Sequence, residues 1–351
     1  MKVEKEFFGN LNDGTSVYLY KIKNDNGIEI VLSEFGATLI AIKTPNFEGK
    51  AEDIILGYDT LQEYITRSSN HGALIGRFAN RIANGRFFIN NIEYNLGCNA
   101  HRDHLHGGLV GFGKKLWGSS IIEDSDKIIA ILTHLSKDSD EGYPGNLSVK
   151  VSFTLNNDNE LIIDFFGKTD KPTIVNLTSH PFFNLHGDAL GSVLDHYVTI
   201  NSNKFTKIDN NLIPTGELVN VENTPMDFRN SKRIDSIIDY NYDQINFCGG
   251  YDHNWALDNN AQREILASCV YEETSRRGIK LYTDLPGLQF FTGNFLNGNI
   301  GKYQKKYFKY YGLCLEPQYF PDAPNHPQFI SPILYPDEEY KHVIKYKFFN
   351  V

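Results

Sequence analysis

Leu147, Val149, Val151, Phe153 and Leu155 alternate with Ser148, Lys150, Ser152 and Thr154. A period of two is the signature of a strand with one apolar and one polar face. Asn156-Asn157-Asp158-Asn159 then supplies turn residues, and Leu161-Ile162-Ile163-Asp164-Phe165-Phe166 predicts a returning strand. The same alternation recurs at Ile279, Leu281 and Thr283, and at Ile344, Tyr346 and Phe348. Helical spacing is confined to Leu61, Tyr64 and Ile65, with Asp59 as the expected N-cap. Without long amphipathic helices, a βα barrel or a doubly wound sheet is excluded. The expectation is an all-β chain, a large and mostly antiparallel β-sandwich with few short helices. No repeat or linker interrupts it, so residues 1–351 are expected to form one domain.

Charge narrows the partners. With 34 Lys and Arg against 43 Asp and Glu, the formal charge is -9. A general nucleic-acid binder needs a basic surface, so none is expected. No apolar run approaches the ~18 residues of a membrane span. The opening residues lack a secretory apolar core, and Cys98, Cys248, Cys269 and Cys314 form no C-x-x-C pair. Reduced thiols and a cytoplasmic location are expected.

Four segments break the strand pattern. Gly76-Arg77-Phe78-Ala79-Asn80-Arg81-Ile82-Ala83-Asn84-Gly85 is either the lining of a polar cleft or a surface turn. His101-Arg102-Asp103-His104-Leu105-His106 carries three histidines in six residues. No metal-ligand spacing supports them, so a solvent-exposed loop is expected, or one histidine serving as a hydrogen-bonding partner. His180 lies in Thr178-Ser179-His180-Pro181-Phe182-Phe183. An aromatic setting can move an imidazole into the general acid–base range, although a satisfied core histidine fits equally. Glu316 follows the apolar run Leu313-Cys314-Leu315 and precedes a Pro- and aromatic-rich loop. A carboxylate at a strand end there reads as a placed base or as the partner of an arginine.

Together these segments resemble the aldose 1-epimerase family, the galactose mutarotases. The carrying motifs are Gly76 to Ile82, Leu105-His106-Gly107-Gly108, Asn176 to Leu185, Tyr251-Asp252-His253-Asn254, Pro286 to Asn294, and Leu315 to Asp322. They occur in the family's order along nearly the whole chain. The resemblance implies the family's large antiparallel supersandwich. It also implies interconversion of the α and β anomers of a free aldohexose such as galactose or glucose, with no cofactor and no metal. Carried over residue by residue, His180 is the general acid and Glu316 the general base, with His106 beside them in the catalytic centre. Asn80, Arg81, Asp252 and Gln289 hold the sugar. Apart from the resemblance, Phe182 is an aromatic expected to pack on the sugar's apolar face. Gly113, Phe182 and Asp337 stand where family members commonly have Asp, Tyr and Gly. A monomer and a homodimer both suit this reading.

The chemistry asks for such a pair. Opening a cyclic hemiacetal takes a proton off the anomeric hydroxyl and puts one on the ring oxygen. An ionised glutamate and a protonated histidine do both near neutral pH. Asp252 and Glu316 are expected to raise the proton affinity of His180 against its burial. Three rivals remain: a non-catalytic sugar-binding module, a hexose-6-phosphate epimerase using Arg77, Arg81, Arg276 and Arg277, and a glycosidase. The first needs no acid–base pair, the second needs an arginine cluster for phosphate, and the third normally needs two carboxylates.

Overall fold

The alternating segments are strands, and antiparallel sheet supplies most of the regular structure. The computed structural model describes residues 1–67, 70–258 and 263–351. Leu147–Asn156 and Glu160–Thr169 form the expected hairpin, with Val151 opposite Phe165 and Phe153 opposite Ile163. Its turn is held by Asn156 Oδ1, which accepts the amides of Asp158 and Glu160. This is the Asx-type turn chemistry that favours asparagine.

The hairpin sits inside a nine-stranded antiparallel sheet. The C-terminal strand Tyr340–Asn350 enters between Glu160–Thr169 and Arg277–Thr283, so distant parts of the chain close the sheet. A five-stranded sheet runs in the order Pro214–Asn220, Lys204–Ile208, Asp252–Ala256, Gly287–Phe291, Cys314–Gln318. The two sheets share one apolar core. Val151, Phe153 and Ile163 come from the first, and Trp255, Leu288, Phe290 and Leu315 from the second. Burying each such side chain contributes about 1.5–3 kcal/mol before the entropy cost of ordering it. A further sheet of five consecutive strands, Lys2–Asn10 to Ala51–Asp53, adds Ile30, Leu32 and Leu39 to the same core.

Helices are short among the described residues: Leu61–Thr66, Ile234–Ile237 and Asp243–Cys248. The first is capped by Thr60 rather than by Asp59. Thr60 Oγ1 accepts the Glu63 amide while Glu63 Oε2 accepts the Thr60 amide, a reciprocal capping box. Asp59 instead accepts the amide of Tyr303, 2.7 Å away.

Candidate active site

The register of the five-stranded sheet builds one wall of the site. Gln289 stands opposite Asn254 on one side and opposite Glu316 on the other. Asp252 and Gln318 lie two residues from Asn254 and Glu316, and residues two apart share a strand face. Three strands thus present Asp252, Asn254, Gln289, Glu316 and Gln318 together. The alternate positions, Trp255, Leu288, Phe290 and Leu315, face the core. A hydrogen-bond chain ties the polar row. Gln318 Nε2 donates to Gln289 Oε1 at 3.2 Å, and Gln289 Nε2 donates to Asp252 Oδ1 at 2.6 Å. Each amide orients the next, so the Asp252 carboxylate is fixed in place.

The segment carrying His180 closes over this wall. The His180 amide donates to Ala73 O, and the Gly72 amide donates to His180 O. Phe183 and Leu313 exchange both backbone bonds, which draws the segment onto the strand that carries Glu316. The result is a contact of 3.5 Å between His180 Nε2 and Glu316 Oε2. Glu316 is 2% exposed, and its Oε2 has no hydrogen-bond partner among the described residues. A buried carboxylate oxygen without a donor costs free energy, which a proton-donating ligand recovers.

Asn80, Arg81 and His106 complete the cluster from a third direction. Leu105 pairs with Arg81 across a two-residue ladder. The His106 amide donates to Asn80 O, and the Asn80 amide donates to His106 Nδ1 at 3.2 Å. With Nδ1 accepting, the neutral ring carries its proton on Nε2, which makes it a donor. The tight return after His106 requires Gly107, whose φ is +84° and where a Cβ would lie 1.8 Å from Gly76 O. Arg81 Nη2 is 3.8 Å from Asp252 Oδ2. The His106 ring stands edge-on to His180, 5.3 Å between centroids. Two hollows flank the cluster. One of about 780 Å³ is bordered by Arg81, Arg102, Phe247 and Phe295, and one of about 330 Å³ by His106, Leu105 and Lys114.

Burial reverses the proton balance expected from the sequence. His180 is pushed down to about 4 by desolvation rather than raised by its acidic neighbours. Glu316 is pushed well above the carboxylate range, first by burial and then by Asp252, with Arg81 opposing. Asp252 is raised by burial against the pull of Arg81 and Gln289. His106 is driven down by burial and by the neighbouring His180 and Arg81. Here the low dielectric outweighs charge pairing, because the neutral form avoids the desolvation penalty altogether.

Other expectations divide. Of the two arginines read as cleft lining, only Arg81 reaches the site. Arg77 is 1% exposed and donates to Pro144 O, Gly145 O, Thr173 Oγ1, Ser136 O, Ser136 Oγ and Lys137 O. Arg277 is likewise spent on the carbonyls of Thr44, Leu185, His186 and Lys50. Neither is available to a phosphate. The histidine segment is not a solvated loop throughout. His104 is fully buried, with Nδ1 2.7 Å from Gly97 O and Nε2 2.7 Å from the Tyr143 hydroxyl. Phe182 stands behind His180, stacked on its ring at 5.0 Å and edge-on to Phe291 and His71.

His106, His180 and Glu316 bring ligand-type atoms within 4.8 Å of one another, as do His186, Asp195 and His196. The donor chemistry fits a metal poorly in both. His106 Nδ1 accepts the Asn80 amide and His196 Nε2 accepts the Leu185 amide, so the opposite nitrogens hold protons rather than free lone pairs.

Sequence reasoning left Asn254, Gln318 and Cys314 out of the site. The first two carry a legible signal, since each repeats a polar residue two positions from Asp252 or Glu316 in otherwise apolar strands. Cys314 carries none, because a cysteine in an apolar run reads as core.

Comparison with known proteins identifies the family. The family model described as aldose 1-epimerase matches residues 18–347. The chain is 38% identical over 351 residues to a galactose mutarotase of Mus musculus, covering 99% of each. It is 35% identical over 338 residues to an aldose 1-epimerase of Escherichia coli, covering 96% of each. The crystal structure of a galactose 1-epimerase from Lactobacillus acidophilus superposes with a TM-score of 0.87 at 25% identity, covering 100% of this chain and 99% of that one.

Proposed function

Because the chain belongs to the aldose 1-epimerase family and interconverts the α and β anomers of aldoses, we propose that its substrates are free aldohexoses, galactose and glucose among them, and that His180 and Glu316 carry the proton transfers. The observation that supports this pair most directly is the 3.5 Å separation of His180 Nε2 and Glu316 Oε2. The anomeric hydroxyl oxygen and the ring oxygen are bonded to the same carbon. An acid for one and a base for the other must therefore sit side by side.

In the free site burial leaves the shared proton on Glu316 and His180 neutral. The closed ring reacts through the charged arrangement, reached when that proton passes from Glu316 to His180 Nε2, so that Glu316 is the carboxylate and His180 the imidazolium. Glu316 removes the proton of the C1 hydroxyl, the C1–ring-oxygen bond breaks, and His180 Nε2 protonates the departing oxygen. The carbonyl forms at C1, and the pair is now a carboxylic acid and a neutral imidazole. Rotation about C1–C2 presents the other carbonyl face, and the same transfers in reverse close the ring. The pair holds one shared proton throughout. Burial lowers His180 and raises Glu316, so the pocket favours the protonation state that accompanies the open-chain aldehyde.

Arg81, Asn80 and the Nε2–H of His106 offer donors to sugar hydroxyls, and Asp252 with Gln289 offers acceptors and a donor on the opposite wall. This positions the ring for reaction. Phe182 backs the histidine rather than the sugar. Proton transfer alone accomplishes the reaction, so it calls for no cofactor. With Arg77 and Arg277 committed to carbonyls, a free sugar suits the site better than a sugar phosphate. In this reading the chain acts as one unit, as a monomer or homodimer in the cytoplasm, where its four free thiols remain reduced.

Polarimetry on freshly dissolved α-D-glucose and α-D-galactose tests this. Wild type accelerates the decay of rotation, and H180N and E316Q each lose about 10²-fold or more, the usual contribution of a placed proton-transfer group. Acceleration that survives both substitutions overturns the assignment of the pair.

A further inference from the structure

The strand that carries Glu316 also touches the other nitrogen of His180. Cys314 Sγ lies 3.5 Å from His180 Nδ1, and Glu316 Oε2 lies 3.5 Å from Nε2. Cys314 and Glu316 are two residues apart on Cys314–Gln318 and share a face. The imidazole therefore spans neighbouring same-face positions of one strand, with the Phe182 ring stacked against it at 5.0 Å and 22°. Cys314 is fully buried, and its thiol is driven well above its ordinary range by burial and by Glu316 and Asp252, so it stays protonated.

We propose that Cys314 is a positioning residue for the acid: its sulfur accepts the Nδ1–H of His180 and so keeps Nε2 directed at the ring oxygen of the sugar. The inference rests on the reading of His180 as that acid. The ring also bonds its own backbone, and the proton bookkeeping gives an acceptor side chain at Nδ1 a use in both states. The imidazolium carries protons on both nitrogens, and the neutral ring that remains after Nε2 has given up its proton still carries one on Nδ1. An acceptor at Nδ1 thus serves both states. The choice of sulfur has a consequence. A carboxylate at this position would hold the imidazolium tightly and weaken the acid. A neutral thiol is a weak acceptor and fixes orientation while leaving His180 ready to release its proton.

The other titratable groups around the ring fit this division of labour. Glu316 faces Nε2, and His106 stands edge-on from the loop after His104–Leu105. His71 lies behind Phe182. Arg81 and Asp252 act on Glu316 across the site. Cys314 is the side chain that hydrogen-bonds Nδ1.

The test compares wild type, C314A, C314S and H180N by polarimetry, together with ¹⁵N NMR of the histidine-labelled wild-type and C314S enzymes. C314A lowers kcat about 10-fold or more and leaves KM within about 2-fold, because it removes part of the ~10²–10⁴ contribution of the acid and no sugar contact. C314S retains most of kcat, since a hydroxyl oxygen also accepts, and its acid limb moves to higher pH because a stronger acceptor holds the imidazolium longer. In free wild-type enzyme near neutral pH the His180 proton resides on Nδ1. Three results each overturn the inference: wild-type His180 protonated on Nε2 alone, C314A with unchanged kcat, or C314S falling as far as C314A. A fully active H180N would instead end the underlying reading of the acid. If C314A does not fold, the NMR of wild type and the kinetics of C314S decide the matter.

Discussion

Gln289 faces Glu316 directly across two antiparallel strands, and it is also the link through which Gln318 reaches Asp252. The amide thus holds the carboxylate proposed to face the sugar while standing beside the proposed base. Gln289→Leu removes both bonds and leaves Asp252 Oδ1 and the Gln318 amide without that partner. Unsatisfied buried groups cost about 1–3 kcal/mol each. The expected outcome is a lowered melting temperature and a KM for galactose raised about 10-fold, with a smaller fall in kcat. Steady-state polarimetry and thermal denaturation check it, and an unchanged KM would remove Gln289 from the sugar-holding set.

The rate should depend on pH through the single proton shared by His180 and Glu316. Below about 4, His180 is protonated while Glu316 already holds its proton, so the pair carries two and has no base. As pH rises through the elevated value of Glu316, the pair loses its shared proton and has no acid. The activity profile is therefore a broad plateau with an acid limb near 4 and an alkaline limb well above the ordinary carboxylate range. These limbs belong to the coupled pair rather than to either residue alone. An acid limb near the ordinary histidine value of about 6.5 would contradict the burial argument.

Arg77 is a structural arginine, in contrast to Arg81, the one proposed to bind the sugar. Its guanidinium donates six hydrogen bonds within the interior, four of them to carbonyl oxygens. Arg77→Met strands several of those acceptors, each at about 1–3 kcal/mol. We expect a large loss of stability in chemical denaturation, with the KM of the folded enzyme for free sugars unchanged. A selective rise in KM at full stability would return Arg77 to the ligand.

His186 lies between Asp195 and Glu272, 3.0 and 3.4 Å away. Burial pulls its proton affinity down, but the hydrogen bonds to Glu272 and Asp195 outweigh it and the net shift is upward. A histidine raised in the folded state stabilises fully below its unfolded value of about 6.5, and this contribution fades as pH rises through the folded value. The stability gap between wild type and His186→Gln should therefore be widest near pH 6 and narrow by about pH 9. Urea midpoints across that range measure it, and a gap that widens with pH would reverse the sign.

Local pattern explains what was legible beforehand. Alternation at 147–155 and 279–283 specifies strands because side chains on successive residues must point to opposite faces. Asn156 and Asn159 mark the turn for an equally local reason. His180 and Glu316 stood out because each interrupts an apolar neighbourhood where a charge is costly without a purpose.

What the sequence by itself determined, then, was the all-β class, the position of the long hairpin, and the motifs by which the chain is recognisable as an aldose 1-epimerase. Tertiary structure decided the rest. Arg77 and Arg81 are four residues apart, yet one is buried against the carbonyls of Ser136, Pro144 and Gly145 while the other faces Asp252. His104 and His106 part in the same way, one into the core against Tyr143 and one into the site. Cys314 gains its meaning only from His180, which is 134 residues distant. The proton balance of the pair likewise depends on how completely water is excluded. These outcomes depend on which distant groups fold against each residue, and local spacing carries no information about contacts closed across long stretches of chain.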